Sequence, residues 1–369
     1  MCDMYDQKVR DSQPGRGTKV VPVEEAVGMI LPHDITEIIP GKFKGCAFKK
    51  GHVVQEQDIE HLKRIGKEHL YILEISDDEI HENDAAMAMA RALAGPGVEL
   101  EGETAEGKVN LIAGIDGLLK VKHQELTEFN MLGEVMCATL HNNNVVKKGQ
   151  VLAGTRAIPL LVKKSVVDKA VRIAESAGAI LTIKSLRKPN AGIVITGNEV
   201  YHGKIRDAFE PVITAKIKKF GGEITGIHFA PDSAEFIEDR IRVLIRAGAD
   251  LIITTGGMSV DPDDVTRFAV RNLGVDELYY GSPVLPGAMF LVAYLQDTQI
   301  RTQKSNNTCI PILGIPACGM YASITVFDLI LPRVLAGERP GRREIAELGH
   351  GGLCLKCDTC RYPVCPFGK

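Results

Sequence analysis

Residues 249–259 read ADLIITTGGMS and set the fold of the second half of the chain. The apolar run LIITT is too short for a helix, and the Gly256-Gly257 pair ends it as a tight turn. Two further segments, AGIVITGN at 191–198 and IPILGIP at 310–316, repeat this pattern of a continuous apolar run followed by glycine or proline. Such runs are typical of buried parallel strands that are covered on both faces.

Amphipathic segments separate these runs and predict helices at 208–220, 233–247, 263–273 and 320–331. Further strands are expected at 223–230, 275–280 and 288–295. Short apolar strands that alternate with helices imply βαβ units. We therefore predict an α/β fold for residues 188–340, a three-layer domain with a mostly parallel sheet.

The predicted strand ends carry the candidate binding residues, because ligands of open α/β sheets bind beyond the carboxyl ends of the strands. Glycine in these turns lets backbone N–H groups approach an anion. The alternative is that glycine merely makes a tight turn after the strand. Neither a GxxxxGK[ST] nor a clean GxGxxG motif occurs. The candidates at the strand ends are Thr196, Gly197, Asn198, Glu199, Thr255, Gly256, Gly257, Met258, Ser259, Gly314 and Pro316.

Carboxylates follow the glycine pair, as Asp261, Asp263 and Asp264. Clustered carboxylates suit Mg²⁺, which takes oxygen ligands and retains waters and substrate phosphates. The alternative is helix capping, which we expect for Asp263, whereas Asp264 is free to face the cleft. Asp207 and Asp232 open two other predicted helices and are caps or secondary polar contacts.

The remainder of the chain is less regular. We expect a disordered arm at 1–17, a mixed α+β segment at 18–76, a helix followed by a β-rich domain at 77–187, and a cysteine-rich tail at 341–369. The 369 residues carry a net charge of −3, no Trp and 5% aromatic residues, which argues against nucleic-acid binding. No signal peptide or membrane-spanning run is evident, so we expect a cytoplasmic protein without membrane association.

Four of the nine cysteines fall in the tail, as Cys354-x2-Cys357-x2-Cys360-x4-Cys365-Pro366. In a reducing compartment, clustered thiols indicate a metal before they indicate disulfides. The spacing approximates a bacterial iron–sulfur run, and four thiolates also suit Zn²⁺. A flexible tail of free thiols is the alternative.

The α/β segment resembles the molybdopterin-binding domain of molybdenum cofactor biosynthesis proteins. The residues that carry the resemblance are ITGNEV at 195–200, GKIRD at 203–207, IITTGGMSV at 252–260, DVT at 264–266, LPG at 285–287 and IP at 315–316. The resemblance adds Pro286 and Gly287 to the binding candidates and places Asp264 at the family's catalytic Asp. Leu285 and Ala288 stand where the family has lysines, and Cys318 falls in a changed loop.

The N-terminal segment, over about 20–75, resembles the molybdenumtransferase branch more narrowly. The resemblance implies an enzyme that binds adenylylated molybdopterin, uses Mg²⁺ and inserts molybdate with release of AMP. A non-catalytic binding or delivery protein and a molybdopterin adenylyltransferase are the alternatives, the last favoured by the Asp264-Val265-Thr266 match. The resemblance also implies a homodimer, and the tail is a candidate for docking to a molybdoenzyme.

Overall fold

The computed structural model describes residues 18–39, 43–73, 76–105, 107–258, 261, 264–296 and 309–369. The predicted arm at 1–17 lies outside these residues. The chain divides into two compact units, and the main boundary falls between Ile183 and Lys184. The short segments Asp116–Leu118 and Asn143–Val145 are assigned to the second unit.

The first unit is built from small antiparallel sheets and four helices. Its elements are β1 (Thr18–Pro22), β2 (Ile35–Ile39), β3 (Phe43–Phe48), α1 (Asp58–Arg64), β4 (His69–Leu73), β5 (Glu79–His81), α2 (Glu82–Leu93), β6 (Val98–Ala105), β7 (Lys108–Ala113), β8 (Gly117–Val121), α3 (His123–Asn130), β9 (Val135–Thr139), β10 (Val145–Val146), β11 (Val151–Ala157), β12 (Leu161–Lys163), α4 (Lys164–Ser176) and β13 (Leu181–Lys184). The main sheet has the order β6-β7-β11-β9. Buried side chains of α2 and α4 share one core with strands of this sheet.

Two helices that we predicted in the first unit differ in the structure. The segment VEEAVGMIL at 23–31 predicts a short helix from its apolar face, but the structure forms only a 3₁₀ turn at Val23–Glu25. The run Ser76-Asp77-Asp78-Glu79 resembles an N-cap and an acidic first turn and predicts a helix from there to about Ala94, but residues 79–81 form β5 instead, paired with β12. The helix then begins at Glu82, and the His81 side chain accepts a hydrogen bond from the Asn83 N–H. Long-range pairing with β12 thus overrides the local capping pattern.

The second unit carries a six-stranded sheet in the order β15-β14-β16-β19-β18-β17. Its elements are β14 (Asn190–Thr196), α5 (Asn198–Tyr201), α6 (Phe209–Lys219), β15 (Glu223–Ala230), α7 (Ala234–Arg246), β16 (Leu251–Thr255), α8 (Thr266–Asn272), β17 (Glu277–Tyr280), β18 (Leu291–Gln296), β19 (Cys309–Ile315), α9 (Val326–Leu335) and α10 (Arg342–Glu347). The four strands β15, β14, β16 and β19 are parallel. Only β18 is reversed, since it pairs antiparallel with both β19 and β17.

Helices cover both faces of this sheet, which confirms the predicted three-layer α/β fold. Ile193, Ile195 and Ile253 pack against α6 and α9 on one face. Val194 and Ile252, at the alternate positions, pack against α7 and α8 on the other face. Apart from the exposed Asn190 at the start of β14, all residues of β14 and β16 are buried, as expected for strands between two helical layers.

Two predicted helices of this unit have different bounds. The predicted helix at 320–331 begins later, at Val326, because Thr325 and Asp328 form a capping box there. The helix predicted from 263 begins at Thr266. Among the described residues, none of the helices is long and apolar enough to cross a lipid bilayer.

Candidate functional site

The carboxyl ends of three neighbouring parallel strands meet at one edge of the sheet. Ile195 of β14 is in register with Thr255 of β16, and Thr255 is in register with Ile315 of β19. The turns that follow at 197, 256 and 316 therefore leave the sheet side by side. This is the edge at which open α/β sheets bind ligands.

A buried hydroxyl network fixes the glycine turn after β16. The Thr196 hydroxyl donates to the Thr255 carbonyl at 2.8 Å and lies 3.2 Å from the Thr266 hydroxyl. Thr266 in turn donates to the Gly256 carbonyl at 3.1 Å, so helix α8 is joined to the turn. These contacts give Thr196 a supporting position beneath the turn.

The backbone conformation and the available space at positions 256 and 257 both require glycine. Their φ angles are +76° and +57°, a left-handed backbone that side chains disfavour. A Cβ on Gly256 would lie 2.5 Å from the Thr196 carbonyl oxygen, and one on Gly257 would collide with the Thr266 hydroxyl. The tight turn thus depends on glycine for both conformation and space.

A cleft of about 560 Å³ opens beside this turn. Seven of the sixteen catalytic and ligand-binding residues that we predicted from sequence line it, and they come from three separate loops. The predicted residues along the cleft are Gly256, Gly257, Met258, Asp264, Pro286, Gly287 and Pro316.

The other predicted residues do not line this cleft. Thr255 is fully buried in β16, and Gly314 packs against the Met258 side chain from within β19. The cleft is also not lined by the residues at the end of β14 and directly after it, which are Thr196, Gly197, Asn198 and Glu199. Ser259 lies outside the described residues.

Among the described residues that line the cleft, Asp264 is the one with a carboxylate side chain. It is half-buried, and its carboxylate accepts a hydrogen bond from the Asp261 N–H at 3.1 Å. The Asp264 N–H donates to the Asp261 carbonyl at 3.0 Å. Helix α8 has Val265 at its N-cap, without a side-chain cap. Asp264 therefore does not serve as that cap. One of its carboxylate oxygens is hydrogen-bonded to the Asp261 N–H.

Asp207 and Asp232 each accept hydrogen bonds from backbone N–H groups. The Asp207 carboxylate accepts hydrogen bonds from the N–H groups of Phe209 and Glu210, at 3.0 and 2.7 Å, at the start of α6. Asp232 accepts from the Asn198 N–H at 3.0 Å, and the Asn198 side chain accepts from the Asp232 N–H at 3.3 Å. The structure brings neither to the cleft that contains Asp264.

The loop at 285–287 also lines the cleft. The Leu285–Pro286 peptide is cis, and Gly287 has a φ of +131°. A Cβ on Gly287 would lie 2.5 Å from Cγ1 of Val326, at the start of α9. The Val326 N–H donates to the Pro286 carbonyl at 3.3 Å, so this loop packs directly on the helix.

The cysteine-rich tail also lines this cleft, although the sequence pattern placed it outside the ligand-binding module. Leu353, Cys354 and Lys356 lie along the cleft together with Cys318. The Leu285 N–H donates to the Gly352 carbonyl, and the Cys354 N–H donates to the Leu285 carbonyl, both at 2.8 Å. No sequence signal had marked Lys356, because it stands between two cysteines that dominate the local pattern.

The four tail cysteines line a second cavity, of about 430 Å³. Cys357 and Cys360 are exposed, whereas Cys354 and Cys365 are half-buried. In the part of the chain that the structure describes, no three or more His, Cys, Asp or Glu side chains are arranged so that they could hold a metal ion. The tail cavity and the cleft share Pro286, Cys318, Leu353, Cys354 and Lys356.

Comparison with known families agrees with this geometry. The segment that carries the sheet edge and the cleft, residues 192–336, matches the family model described as "Probable molybdopterin binding domain". Over residues 192–336 the chain is thus similar to molybdopterin-binding domains. The resemblance inferred from the sequence is thereby confirmed for this part of the chain. Residues 20–74 match a family described only as a domain of unknown function.

Curated relatives match over a short segment. A "CinA-like protein" of Mycobacterium avium (strain 104) is 40% identical over 91 residues, which cover 23% of this chain and 21% of that protein. A "CinA-like protein" of Mycobacterium leprae (strain TN) is 35% identical over 91 residues, with the same two coverages. The matched segment thus spans about a fifth of the length of these relatives.

Solved structures with similar folds include cofactor-synthesis proteins. The tungsten cofactor synthesizing protein MoaB of Pyrococcus furiosus is 15% identical, with 41% of this chain and 92% of that chain covered and a TM-score of 0.31. The molybdopterin biosynthesis moea protein of Pyrococcus horikosii is 16% identical, with 90% and 78% covered and a TM-score of 0.31.

Proposed function

We propose that the cleft beside Gly256-Gly257 binds adenylylated molybdopterin and that the protein inserts molybdate into it with release of AMP. The observation that carries this proposal is the convergence of the glycine turn, Asp264 and the Pro286-Gly287 loop on one cleft within the molybdopterin-binding domain. A general role in molybdenum cofactor biosynthesis follows from the family. The specific reaction is our inference.

The residues of the cleft fit a phosphate-bearing pterin. Gly256 and Gly257 form a left-handed turn that lines the cleft, so a phosphate group would meet backbone there and not side chains. The remaining lining is mainly apolar, with the side chains of Leu285, Pro286 and Met289 exposed or half-buried and available to contact a flat ring. Ligand pockets commonly combine an apolar lining with a few polar groups that set orientation.

Asp264 is positioned to hold Mg²⁺ at the phosphate. One carboxylate oxygen accepts the Asp261 N–H, which fixes the side chain and leaves the other oxygen available as a ligand. Mg²⁺ typically binds through one or two carboxylates together with substrate phosphates. A bound Mg²⁺ would supply charge neutralisation for the AMP leaving group.

AMP release measures the proposed reaction directly. We expect the protein to release AMP from adenylylated molybdopterin when Mg²⁺ and molybdate are added. Asp264→Asn should lower this rate by at least a hundredfold, an estimate based on the loss of a metal-held phosphate contact. Asp239→Asn is the matched control, because Asp239 is an exposed α7 residue outside the cleft.

The other outcomes separate the alternative functions. Tight binding of adenylylated molybdopterin without AMP release would indicate a binding or delivery protein and would refute molybdate insertion. ATP-dependent adenylylation of free molybdopterin would identify an adenylyltransferase. Undiminished turnover in Asp264→Asn would contradict both enzymatic functions.

A second proposal concerns the tail. We propose that Cys354, Cys357, Cys360 and Cys365 bind Zn²⁺ or an iron–sulfur cluster, supported by their position around one cavity. Binding requires the segment to close, because the described residues hold no ready-made metal site. Metal content and visible absorption of anaerobically purified protein test this, with Cys357→Ser as the variant and Cys46→Ser as the control. Less than one zinc or one cluster per chain would refute it.

The proposed role is consistent with a cytoplasmic homodimer whose tail docks to a molybdoenzyme. Sedimentation of the purified protein tests the dimer, and a sedimenting mass near that of one chain would contradict it.

A further inference from the structure

We propose that Lys356, in the cysteine-rich tail, is an anion-binding residue of the cleft that binds the phosphate of the ligand. This inference deepens the proposed function and rests on it. It assigns a ligand-binding role to a segment that follows the molybdopterin-binding domain, which ends at residue 336.

The first observation is the charge of the cleft. Among the described residues that line it, the groups charged at neutral pH are the Asp264 carboxylate and the Lys356 ammonium. The loop residues Leu285 and Ala288, which also line the cleft, carry apolar side chains. A phosphate beside Asp264 needs a compensating cation, and Lys356 supplies one from the protein itself.

The second observation is that the Lys356 side chain is available. It is exposed, and it makes neither a hydrogen bond nor an ion pair with the described residues. The Lys216 ammonium, by contrast, lies 2.5 Å from the Asp328 carboxylate. A free ammonium among the mainly apolar residues of the cleft is suited to bind an anionic group.

The third observation is how the backbone holds Lys356 in place. Two residues before it, the Cys354 N–H is hydrogen-bonded to the Leu285 carbonyl, on the same loop as Pro286. Lys356 itself has a φ of +52°, a left-handed conformation that is uncommon for residues other than glycine. Such outliers concentrate at functional sites, where the surrounding structure enforces them. Beyond the cysteines, the tail is anchored again by Phe367, which is 3% exposed within the core.

The test uses Lys356→Asn in the full-length chain. Asn removes the charge and tolerates a left-handed backbone, so the variant keeps the tail conformation. Lys356→Arg retains the charge. Lys219→Asn is the matched control, because Lys219 is exposed on α6 and lies outside the cleft.

Binding is measured by calorimetry with two probes, inorganic pyrophosphate and adenylylated molybdopterin. We expect Lys356→Asn to weaken both affinities roughly tenfold, as loss of one charged hydrogen bond implies. The affinity of this variant for both probes should also depend less on salt concentration than that of the wild type. Lys356→Arg and Lys219→Asn should stay within about twofold of the wild type, because each retains the cleft cation.

The two probes separate this inference from the proposed function. If Lys356→Asn binds both probes as the wild type does, with the same salt dependence, the role of Lys356 is overturned and the proposed function stands. If the wild type binds pyrophosphate through Lys356 but does not bind the pterin, the proposed function fails and the anion site is retained. Binding of neither probe by the wild type overturns both.

Discussion

Leu353 of the cysteine-rich tail forms a parallel β-bridge with Leu285 of the loop that walls the cleft. Two backbone hydrogen bonds of 2.8 Å flank this bridge, from Leu285 to Gly352 and from Cys354 to Leu285. The bridge brings a segment from the end of the chain against the ligand-binding domain. The tail is therefore part of the candidate site and not an appendage beside it.

Phe367 should be the main apolar anchor of this tail. It is 3% exposed and packs in the core that includes α9, whereas Val364 is 87% exposed. We expect Phe367→Ala to destabilise the second unit by about 3 kcal/mol, the usual cost of emptying a buried aromatic site. Val364→Ala should change stability by less than about 0.5 kcal/mol. Thermal denaturation measures both, and tryptic cleavage after Lys356 or Arg361 reports release of the tail. Equal melting temperatures for the two variants would contradict the anchoring role.

Gly257→Ala should disrupt the turn that opens the cleft. The added Cβ would meet the Thr266 hydroxyl, and the φ of +57° adds conformational strain. Gly337→Ala is the control, because Gly337 has a φ of +78° with no atom within 4 Å of an added Cβ. We expect about 1–2 kcal/mol of destabilisation for Gly337→Ala and a clearly larger loss for Gly257→Ala. Chemical denaturation compares them, and equal losses would mean that the turn adapts to a side chain.

Thr196→Val should destabilise the glycine turn after β16, because it removes a buried hydrogen bond. The Thr196 hydroxyl is buried and donates to the Thr255 carbonyl, so its removal leaves a buried acceptor without that donor. We expect a loss of about 1–3 kcal/mol, whereas Thr196→Ser should recover most of it because the hydroxyl is retained. The free energy of unfolding measures the effect. A Val variant as stable as the wild type would contradict the role of the Thr196 hydroxyl.

The buried thiol of Cys137 should make the stability of the first unit sensitive to alkaline pH. Burial raises the pKa of Cys137 to about 12. In the unfolded chain this thiol ionises near its usual value of about 8.5. Its contribution to stability is therefore complete below about pH 8.5 and is lost progressively as the pH rises toward the folded pKa.

We expect Cys137→Ala to be less stable at neutral pH because it leaves a small cavity, but to lose less stability than the wild type between about pH 8 and 10. Thermal denaturation across this pH range provides the measurement, with Cys46→Ser as the control for an exposed thiol. Parallel pH profiles for the wild type and Cys137→Ala would contradict this account.

The strands β14, β16 and β19 were predictable because each contains a continuous apolar run that glycine, proline or a polar residue ends. Their direction was not. Residues 291–296 have the same apolar character as 251–255, yet β18 runs against its neighbour β19. Helix starts were also misplaced where a local pattern competed with tertiary pairing. Residues 76–79 look like a helix cap, but the pairing of β5 with β12 is formed instead.

The sequence by itself determined the three-layer α/β architecture and the glycine turn at 256–257, because strand burial and turn geometry are properties of short segments. Only the tertiary structure decided which of these residues share a cleft. Asp207 and Asp232 accept backbone hydrogen bonds and do not line the cleft, whereas Lys356 lines the cleft although it lies in the tail. The reason is physical: the bridge between Leu285 and Leu353 joins segments that are far apart in sequence, and no local pattern records such a contact.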